Sequence, residues 1–584
     1  MLGSTLPASL PLRRLALAFL GGSCLAACTA WPGPASARNA DLILTNAKVY
    51  TVEPGQPWAE AVAIADGKVL AAGTAAEVEK TKGAATRTVD LRGRVLMPAF
   101  GDAHVHPLFG GISYSRCSLH NGQSVDDYRQ VIRGCLAKTP SGTVYGVGWK
   151  DGLFPPDGIP SKTILDEIST ERPLIFESTG GHSIWLNSKA LELLGITRDT
   201  PDPANGVINR DPATGEPIGG LQESAMALAT PLIPAPTPED IQNAIIYTAH
   251  HFNELGITSW HDALIDVDPG GSAPVIDAYK AVKDRSELTS HVTLALKWNN
   301  DRALDQLADI ERASAHAREL GLHADTVKFF VDGVIPQKTA AMLEPYEGTA
   351  DETGETQIPP DLLDAAVTAV DGLGMQVHFH SIGDRATRDA LDAVEAARKA
   401  DGMQDTRPMI SHLNAVDPAD QPRFGQLGVT AVFQPLWASI EPYMLLTIDR
   451  IGPKRAKYIY PARSVLEDGG RLAYGSDWPV ASANPFEGIQ VALTRSNPYA
   501  PGSEQLLPEQ AVSLEEAIKA YTINVAYVLH LEQQTGSIAP GKSADLIVLD
   551  RDLFSLDPYK IGETKVLLTL FEGKPVFGSL EKLD

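Results

Sequence analysis

The segment DLLDAAVTAVDGLGMQVHFHSIGDRATRDALDAVEAARKADGMQDTRPMISH, residues 361–412, alternates two helical patterns with two short apolar runs. It predicts a helix over 361–372 followed by a strand at Met375–His380, and a helix over 384–400 followed by a strand at Met409–His412. Helices that alternate with short apolar strands predict a parallel sheet, because parallel neighbours need a crossover between them. The segment therefore predicts an α/β fold, and each of its strands ends in histidine.

The same unit recurs on both sides of this segment. Thr237-Pro238-Glu239-Asp240 is a typical helix start, with a capping threonine, proline at the first helical position and an acid three residues after the cap. Further strands are predicted at 95–104, 143–147, 173–178, 257–262, 291–297, 326–331, Val429–Gln434 and Leu472–Gly475. These are more strands than a barrel of eight requires. The sequence therefore predicts a (β/α)8 TIM-like barrel over 98–530 with an insertion within 110–250.

The two ends of the chain predict β structure that belongs together. Asp66-Gly67 lies between two apolar runs and is a strong hairpin signal. Near the C-terminus, Asp545–Leu549 predicts a strand and Val566–Phe571 the first strand of a second hairpin. Either end alone is too small to bury a core. We therefore expect one small β-sandwich built from both N- and C-terminal segments, with boundaries at 38–97 and 531–584.

The composition is that of a globular protein with an acidic surface. The 584 residues include 73 Asp and Glu against 49 Lys and Arg, which gives a formal charge of −24 at pH 7. Nucleic-acid-binding proteins present a basic surface, so we expect no nucleic-acid partner. An anionic membrane would also repel the folded body. The expected partner is a small-molecule substrate, and the sequence leaves open whether the chain forms a homodimer.

Residues 1–37 have the pattern of a signal peptide followed by a tether. Arg13-Arg14 precedes the apolar run Leu15–Ala27, which is too short to span a bilayer comfortably. Leu25-Ala26-Ala27-Cys28 resembles a lipobox, in which Cys28 is lipidated, whereas Ala35-Ser36-Ala37 suits ordinary signal peptidase. Both alternatives predict export to the cell envelope or periplasm. The first predicts a lipid anchor as the only membrane attachment, and the second a soluble periplasmic or secreted protein.

Export places the remaining cysteines in an oxidising compartment. Cys24 and Cys28 belong to the signal, which leaves Cys117 and Cys135 with the helix-like stretch Val125–Leu136 between them. We predict a disulfide between these two cysteines, and the alternative is two buried free thiols.

Side chains of metal-ligand type stand at the ends of predicted strands, where barrel active sites lie. His104 and His106 are two residues apart on one strand, so they share a face. His380, His412 and Asp477 end three later strands. Imidazole and carboxylate bind zinc and similar divalent metals. A single strand-end histidine is usually a hydrogen-bonded core residue, but this ordered recurrence predicts a metal site.

Lys328 lies inside the apolar strand Val327–Val331, where an unpaired ammonium group is costly. Carbamylation would turn the amine into an anionic oxygen donor that can bridge two metals. The alternative is a lysine whose ammonium group reaches solvent from the strand end.

This ordered set resembles the amidohydrolase superfamily, and most of all its amidohydrolase 3 branch, which includes N-substituted formamide deformylase-like proteins. The resemblance covers about residues 40–580. Its motifs are GVGW at 146–149, GHSIWLNS at 181–188, HSIGDR at 380–385, GSDWPV at 475–480, YTIN at 521–524 and GSIAPGKSADL at 536–546.

The resemblance implies a binuclear centre with two Zn²⁺ ions per chain. His104, His106 and Asp477 would bind one metal, His380 and His412 the other, and carbamylated Lys328 would bridge them. Asp477 would also carry a proton to the leaving nitrogen, and His182 would bind substrate or stabilise the oxyanion. Further candidates for substrate contact are Trp149, Trp185, His378, Gln434 and Trp478.

The implied function is hydrolysis of a non-peptide C–N bond, in an amide, N-acyl or N-formyl group, by hydroxide formed on the metals. One alternative is an esterase or lactonase, because the same chemistry cleaves those bonds. The other is a non-catalytic envelope lipoprotein that binds a small molecule. The complete ligand set favours an enzyme.

Overall fold

The computed structural model describes residues 38–155 and 158–583. The described residues from Asn39 onward form one compact unit. Within the described ranges no helix is both long enough and apolar enough to cross a membrane. The predicted signal peptide and its Cys28 lie outside the described residues.

The strands are numbered in chain order. They are β1 Ala40–Thr45, β2 Lys48–Tyr50, β3 Trp58–Ala59, β4 Ala61–Ala65, β5 Lys68–Gly73, β6 Lys82–Asp90, β7 Val95–Pro98, β8 Phe100–Val105, β9 Cys117–Ser118, β10 Val144–Trp149, β11 Leu174–Ser178, β12 Ser183–Leu186, β13 Gly206–Arg210, β14 Pro217–Glu223, β15 Ile257–Ile265, β16 His291–Lys297, β17 His323–Phe330, β18 Gln376–Ser381, β19 Met409–His412, β20 Thr430–Phe433, β21 Arg471–Tyr474, β22 Leu546–Leu549, β23 Val566–Phe571 and β24 Lys574–Gly578.

The α-helices are numbered in the same way. They are α1 Ala75–Glu79, α2 Pro107–Ser115, α3 Val125–Lys138, α4 Lys162–Asp166, α5 Ser188–Leu194, α6 Pro238–Glu254, α7 Pro274–Asp284, α8 Leu307–Glu319, α9 Pro360–Gly372, α10 Asp384–Asp401, α11 Gln421–Leu427, α12 Pro442–Arg455, α13 Ala462–Glu467, α14 Pro485–Thr494, α15 Leu514–Tyr521 and α16 Ile523–Val528.

The central sheet holds eight parallel strands in the order β8-β15-β16-β17-β18-β19-β20-β21. Two backbone hydrogen bonds link its ends: Asp477 N–H donates to the His104 carbonyl at 2.8 Å, and His106 N–H donates to the Trp478 carbonyl at 2.9 Å. The sheet is therefore a nearly closed (β/α)8 barrel, which confirms the predicted fold class. The predicted helix–strand units are also present, and α6 begins with a capping box formed by Thr237 and Asp240.

The strand predicted over 95–104 is wrong in one respect, because the structure divides it into β7 and β8. Ala99 N–H donates to the Asp545 carbonyl, whereas the next residue, Phe100, donates to the Gly256 carbonyl, each at 2.9 Å. Adjacent residues therefore pair with different sheets. Both halves are apolar and extended, so their local pattern does not reveal the change of partner.

Strands from both ends of the chain form the predicted β-sandwich. One sheet has the order β5-β4-β1-β6, and the other has the order β24-β23-β22-β7-β2-β3. Leu44 and Val62 from the first sheet share one core with Val548 and Leu568 from the second. The predicted hairpin joins β4 and β5, with φ of +46° at Asp66 and +75° at Gly67.

A further sheet, in the order β13-β14-β12-β11-β10-β9, lies in sequence between the first barrel strand β8 and the second, β15. We call it the inserted sheet. The strands predicted at 143–147 and 173–178 belong to it rather than to the barrel. Cys117 on β9 and Cys135 on α3, the two cysteines singled out above, are joined by a disulfide with an S–S distance of 2.11 Å.

Candidate metal centre

The barrel closure brings His104, His106 and Asp477 together. His104 lies on β8, His106 is the residue before α2, and Asp477 follows β21. Asp477 Oδ1 lies 3.0 Å from His106 Nε2 and 3.4 Å from His104 Nε2. The closing hydrogen bonds between the two chain segments fix this approach, because they join the backbones of His104 and Asp477 and of His106 and Trp478.

His380 and His412 lie at the carboxyl ends of the neighbouring strands β18 and β19. Their ring centroids are 4.6 Å apart, and the His412 ring lies 4.7 Å from that of His104. One ligand atom each from His104, His412 and Asp477 falls within 4.8 Å of the others, and all three side chains are buried. These three residues form a candidate metal site.

Buried polar atoms that make no hydrogen bond indicate whether these residues fit a metal. Among the described residues, His104 Nε2, His380 Nδ1, Asp477 Oδ1 and Lys328 Nζ are buried and make no hydrogen bond. Buried polar atoms in folded proteins are nearly always satisfied, because an unpaired one costs about 1–3 kcal/mol. Imidazole nitrogen and carboxylate oxygen are donors that a divalent cation accepts. The arrangement therefore fits a divalent metal.

Lys328 lies on β17, in register with His378 of β18, and its side chain has no solvent exposure. The solvent-reaching alternative considered from the sequence is therefore wrong. Burial lowers the pKa of the Lys328 amine to about 7, although the charge of Asp477 acts in the opposite direction.

The surroundings of these histidines favour the neutral form of the imidazole. Burial, followed by the charge of the Lys328 amine, lowers the pKa of His104 and His380 well below the usual value. For His412 the causes are burial and then the neighbouring His380. Neutral imidazole is the form that binds metals, so the barrel interior prepares these side chains as ligands.

A layer of hydrogen bonds beneath the site orients the rings of His104 and His412. His104 Nδ1 lies 2.8 Å from Ser411 Oγ and 3.0 Å from His378 Nε2, which leaves Nε2 to face Asp477. His412 Nδ1 lies 2.9 Å from Gln434 Oε1. His378 and Gln434, predicted as substrate contacts, are buried in the barrel, where they contact the rings of His104 and His412.

Two buried carboxylates near the candidate site, those of Asp332 and Asp102, were not singled out from the sequence. Asp332 accepts hydrogen bonds from the backbone N–H groups of Ile382, Gly383 and Ala341 at 2.8–3.0 Å, and its Oδ1 lies 3.6 Å from His380 Nδ1. Asp102 Oδ1 accepts from His104 N–H at 3.1 Å and Ser476 N–H at 3.0 Å. Burial raises the pKa of each carboxyl to about 7. Both could have been recognised as charged residues in or next to an apolar strand, the same pattern that singled out Lys328.

The backbone is strained where these ligands lie. His412 has φ of +81° and Asp477 has φ of +57°, a region that residues other than glycine seldom occupy. Such outliers concentrate at functional sites, because the surrounding structure must compensate for them. At Gly475, a Cβ atom would lie only 2.7 Å from His104 N, so glycine is required for the close approach of the two segments.

The three tryptophans predicted as substrate contacts are buried and packed against other side chains. Trp149 and Trp185 are fully buried in the core of the inserted sheet, where their indole N–H groups donate to the carbonyls of Phe176 and Ser161. Trp478 is 1% exposed and stacks on Tyr114, with ring centroids 5.6 Å apart. Large apolar rings favour burial wherever the tertiary structure supplies a cavity.

His182 is the predicted site residue that the inserted sheet contributes. It lies in the loop between β11 and β12, with its ring centroid 6.2 Å from that of His380. Its Nδ1 lies 3.2 Å from both carboxylate oxygens of Glu223, a residue that the sequence did not single out. The structure thus brings His182 to the candidate metal centre together with an acidic partner.

Comparison with known proteins gives matches over almost all of the chain. The model of the family described as "Amidohydrolase family" matches residues 87–577. Protein LONG AFTER FAR-RED 3 of Arabidopsis thaliana is 30% identical over 554 residues, which cover 92% of each chain. N-substituted formamide deformylase of Arthrobacter pascens is 28% identical over 550 residues, 91% of this chain and 97% of that relative.

Solved structures show the same fold. An uncharacterized metal-dependent hydrolase from Pyrococcus furiosus aligns with a TM-score of 0.66 at 25% identity, over 88% of this chain and 99% of its own. Another from Pyrococcus horikoshii OT3 gives a TM-score of 0.69 at 23% identity, with the same coverage.

Proposed function

The chain belongs to the amidohydrolase family, and we propose that it is a metal-dependent hydrolase that cleaves a non-peptide carbon–nitrogen bond in a small molecule. The bond belongs to an amide, an N-acyl or an N-formyl group. One relative is named N-substituted formamide deformylase, and we extend that bond type to this chain as part of the proposal.

The observation that carries the proposal is the convergence of ligand atoms at one end of the barrel. His104, His412 and Asp477 present donors within 4.8 Å of one another. The unpartnered polar atoms of His380 and Lys328 are buried among them. Burying these polar groups without a cation would destabilise the fold, because each group loses its hydration and gains no partner.

Two divalent metals, which we take to be zinc, would be held by His104, His106 and Asp477 on one side and by His380 and His412 on the other. Lys328, carbamylated at Nζ, would bridge the two groups. When bound, the metals supply Lewis acidity toward water and toward the carbonyl group of the substrate.

The chain supplies the remaining chemistry. The Asp477 carboxylate takes a proton from the attacking water and gives it to the leaving nitrogen as the C–N bond breaks. Asp477 suits this role because its backbone is tied to His104 by the bond that closes the barrel. His182, which stands beside His380, donates a hydrogen bond to the substrate.

The test is turnover of a substrate panel by metal-free and zinc-loaded protein. The panel contains N-formyl amines, N-acyl amines, esters and lactones, and metal content per chain is measured alongside. We expect amide hydrolysis only in the loaded protein. Asp477→Asn should keep much of the metal but lose turnover, since an amide does not shuttle a proton. The exposed Asp468→Asn, just before β21, is the matched control and should behave as wild type.

Each contrary outcome identifies another function. Turnover of esters or lactones alone would replace the amide proposal with an esterase or lactonase. Zinc binding without turnover of any panel member would support a non-catalytic binding protein.

A further inference from the structure

His182 and Glu223 form a cross-strand pair at the end of the β12–β14 ladder of the inserted sheet, where His182 lies beside His380. The antiparallel ladder between β12 and β14 pairs Ser183 with Gln222, so the next pair outward is His182 with Glu223. Glu223 N–H donates to the His182 carbonyl at 3.2 Å, which continues the ladder by one step. Directly opposed residues present their side chains on the same face, which explains the contact between this imidazole and this carboxylate.

The Glu223 side chain is held from two directions. Its two oxygens each lie 3.2 Å from His182 Nδ1, and Oε1 also accepts a hydrogen bond from Thr339 Oγ1 at 3.2 Å. Thr339 belongs to the loop that follows β17, the strand of Lys328, and its Oγ1 accepts from Val334 N–H at 2.8 Å. Glu223 therefore links the inserted sheet to the barrel loop beside the metal ligands.

The backbone at Glu223 is strained to make this link. Its φ is +49° with ψ of −129°, a conformation that a side-chain-bearing residue seldom adopts. Such a conformation costs free energy, so it persists only where the surroundings compensate for it. The compensating contacts at Glu223 are those to His182 and Thr339, which points to a function for the pair.

The other ring nitrogen of His182, Nε2, makes no hydrogen bond to any described residue and can meet a ligand. Glu223 occupies Nδ1, and the His182 side chain is still 28% exposed, whereas His380 beside it is 7% exposed. Burial lowers the pKa of the His182 imidazole, but the charge of Glu223 and its hydrogen bond outweigh this and raise it. The carboxylate 3.2 Å from Nδ1 favours the imidazolium form, in which both ring nitrogens carry a proton: Nδ1–H donates to Glu223, and Nε2–H is left to donate to a ligand.

We propose that Glu223 is a positioning residue for the hydrolysis: it fixes the His182 ring so that Nε2–H donates a hydrogen bond to the carbonyl oxygen of the scissile amide. The inference rests on the proposed function, since it assigns a role toward the same substrate bond. The hydrogen bond strengthens as negative charge develops on that oxygen, so its main effect falls on kcat rather than on KM.

The test combines kinetics with zinc-loaded full-length variants and an active amide substrate from the panel above. We expect His182→Ala to lower kcat by about 10²–10³-fold, the usual effect of losing one oxyanion donor. Glu223→Ala should lower kcat by about 10²-fold and Glu223→Gln by less, because glutamine keeps an acceptor for Nδ1–H. KM and zinc content should change little. Glu216→Gln, at an exposed glutamate in the turn just before β14, is the matched control and should leave kcat unchanged.

The double variant decides whether Glu223 acts through His182. In the His182→Ala background, Glu223→Gln should cost nothing further, because the residue it positions is already gone. An equal loss in both backgrounds, or wild-type kcat in Glu223→Gln, would overturn the inference.

A measurement without substrate gives an independent check. Nitrogen NMR of ring-labelled histidine should show His182 protonated at both ring nitrogens in wild type, with the Nδ1 proton signal lost or shifted in Glu223→Gln. An unprotonated Nδ1 in the zinc-loaded wild type would also overturn the inference. A zinc-loaded wild type that is inactive on the whole panel overturns the proposed function itself, whereas active wild type with equally active Glu223 variants overturns only this step.

Discussion

At the scale of single residues, Lys328 illustrates how burial selects chemistry. Its amine is enclosed by the barrel, has no hydrogen-bond partner among the described residues, and stands among imidazoles that are themselves neutral. A cationic amine at this position would repel two divalent metals. A carbamate would carry the opposite charge and offer two oxygen donors, which is the physical basis for proposing it.

Lys328→Ala should therefore lose at least one metal per chain and nearly all amide hydrolysis, while the fold remains. Metal content and circular dichroism check this, and short carboxylic acids added to the variant should restore part of the activity by replacing the bridge. Lys297→Ala is the matched control, since Lys297 lies at the same register on neighbouring β16 and is paired with Asp266 at the surface. Full activity of Lys328→Ala with one metal per chain would establish a mononuclear site instead.

At the scale of secondary-structure elements, the junction between barrel and sandwich depends on one buried carboxylate. Asp545 precedes β22 and accepts hydrogen bonds from Thr535 Oγ1, Ser543 Oγ and Glu572 N–H at 2.6–2.9 Å. His291 Nε2 from β16 lies 2.9 Å from its Oδ2. Burial raises the pKa of Asp545, but these bonds, led by that from His291, outweigh it and lower the pKa.

A lowered pKa in the folded state predicts how stability responds to acid. The contribution of Asp545 is fully present above its unfolded pKa of about 3.9 and is lost as pH falls through the lower folded value. Asp545→Asn should lower the free energy of unfolding at pH 7 by about 3 kcal/mol and reduce its decline below pH 4. Urea unfolding at several pH values measures this, with exposed Asp351→Asn as control. Equal acid sensitivity of wild type and Asp545→Asn would contradict the assignment.

The inserted sheet is tied by its own covalent link. The Cys117–Cys135 disulfide closes a loop with a sequence separation of 18, which in the chain-entropy model stabilises the fold by about 3 kcal/mol. Reductant should lower the midpoint of thermal unfolding of the wild type but not of a Cys117→Ser/Cys135→Ser double variant. Free thiols at both positions in unreduced, unfolded protein would disprove the link.

At the scale of the whole molecule, the two ends of the chain form one β-sandwich together. The first strands and the last three lie in one sandwich, and the barrel occupies the sequence between them. The N-terminal strands cannot bury their apolar faces until the C-terminal strands are available. Cleavage or truncation at either end therefore exposes the same core.

The predicted export signal also belongs to this scale and lies outside the described residues. If Cys28 is the lipidated N-terminus, wild-type protein should fractionate with membranes, and Cys28→Ala should be unlipidated or unprocessed. Cys24→Ala, within the apolar run, should change nothing. Mass spectrometry of the N-terminal peptide distinguishes the outcomes, and a lipid-free start at Arg38 would support the alternative cleavage.

The sequence by itself predicted the elements and the ligand types. Helix starts such as Thr237, strand ends such as His380 and His412, and the hairpin at Asp66-Gly67 are encoded locally, because caps, periodicity and turn residues act over a few positions. The barrel followed from repetition of these local units. The candidate ligand set was inferred from their order along the chain.

Only the tertiary structure decided which side chains meet. It divided residues 95–104 between two sheets, placed His378 and Gln434 against the rings of His104 and His412, and buried Trp149 in a core. It also set Glu223 opposite His182, although 41 residues separate them. Such pairings depend on strand register and barrel closure, which bring distant residues together and leave no periodic trace in the local sequence.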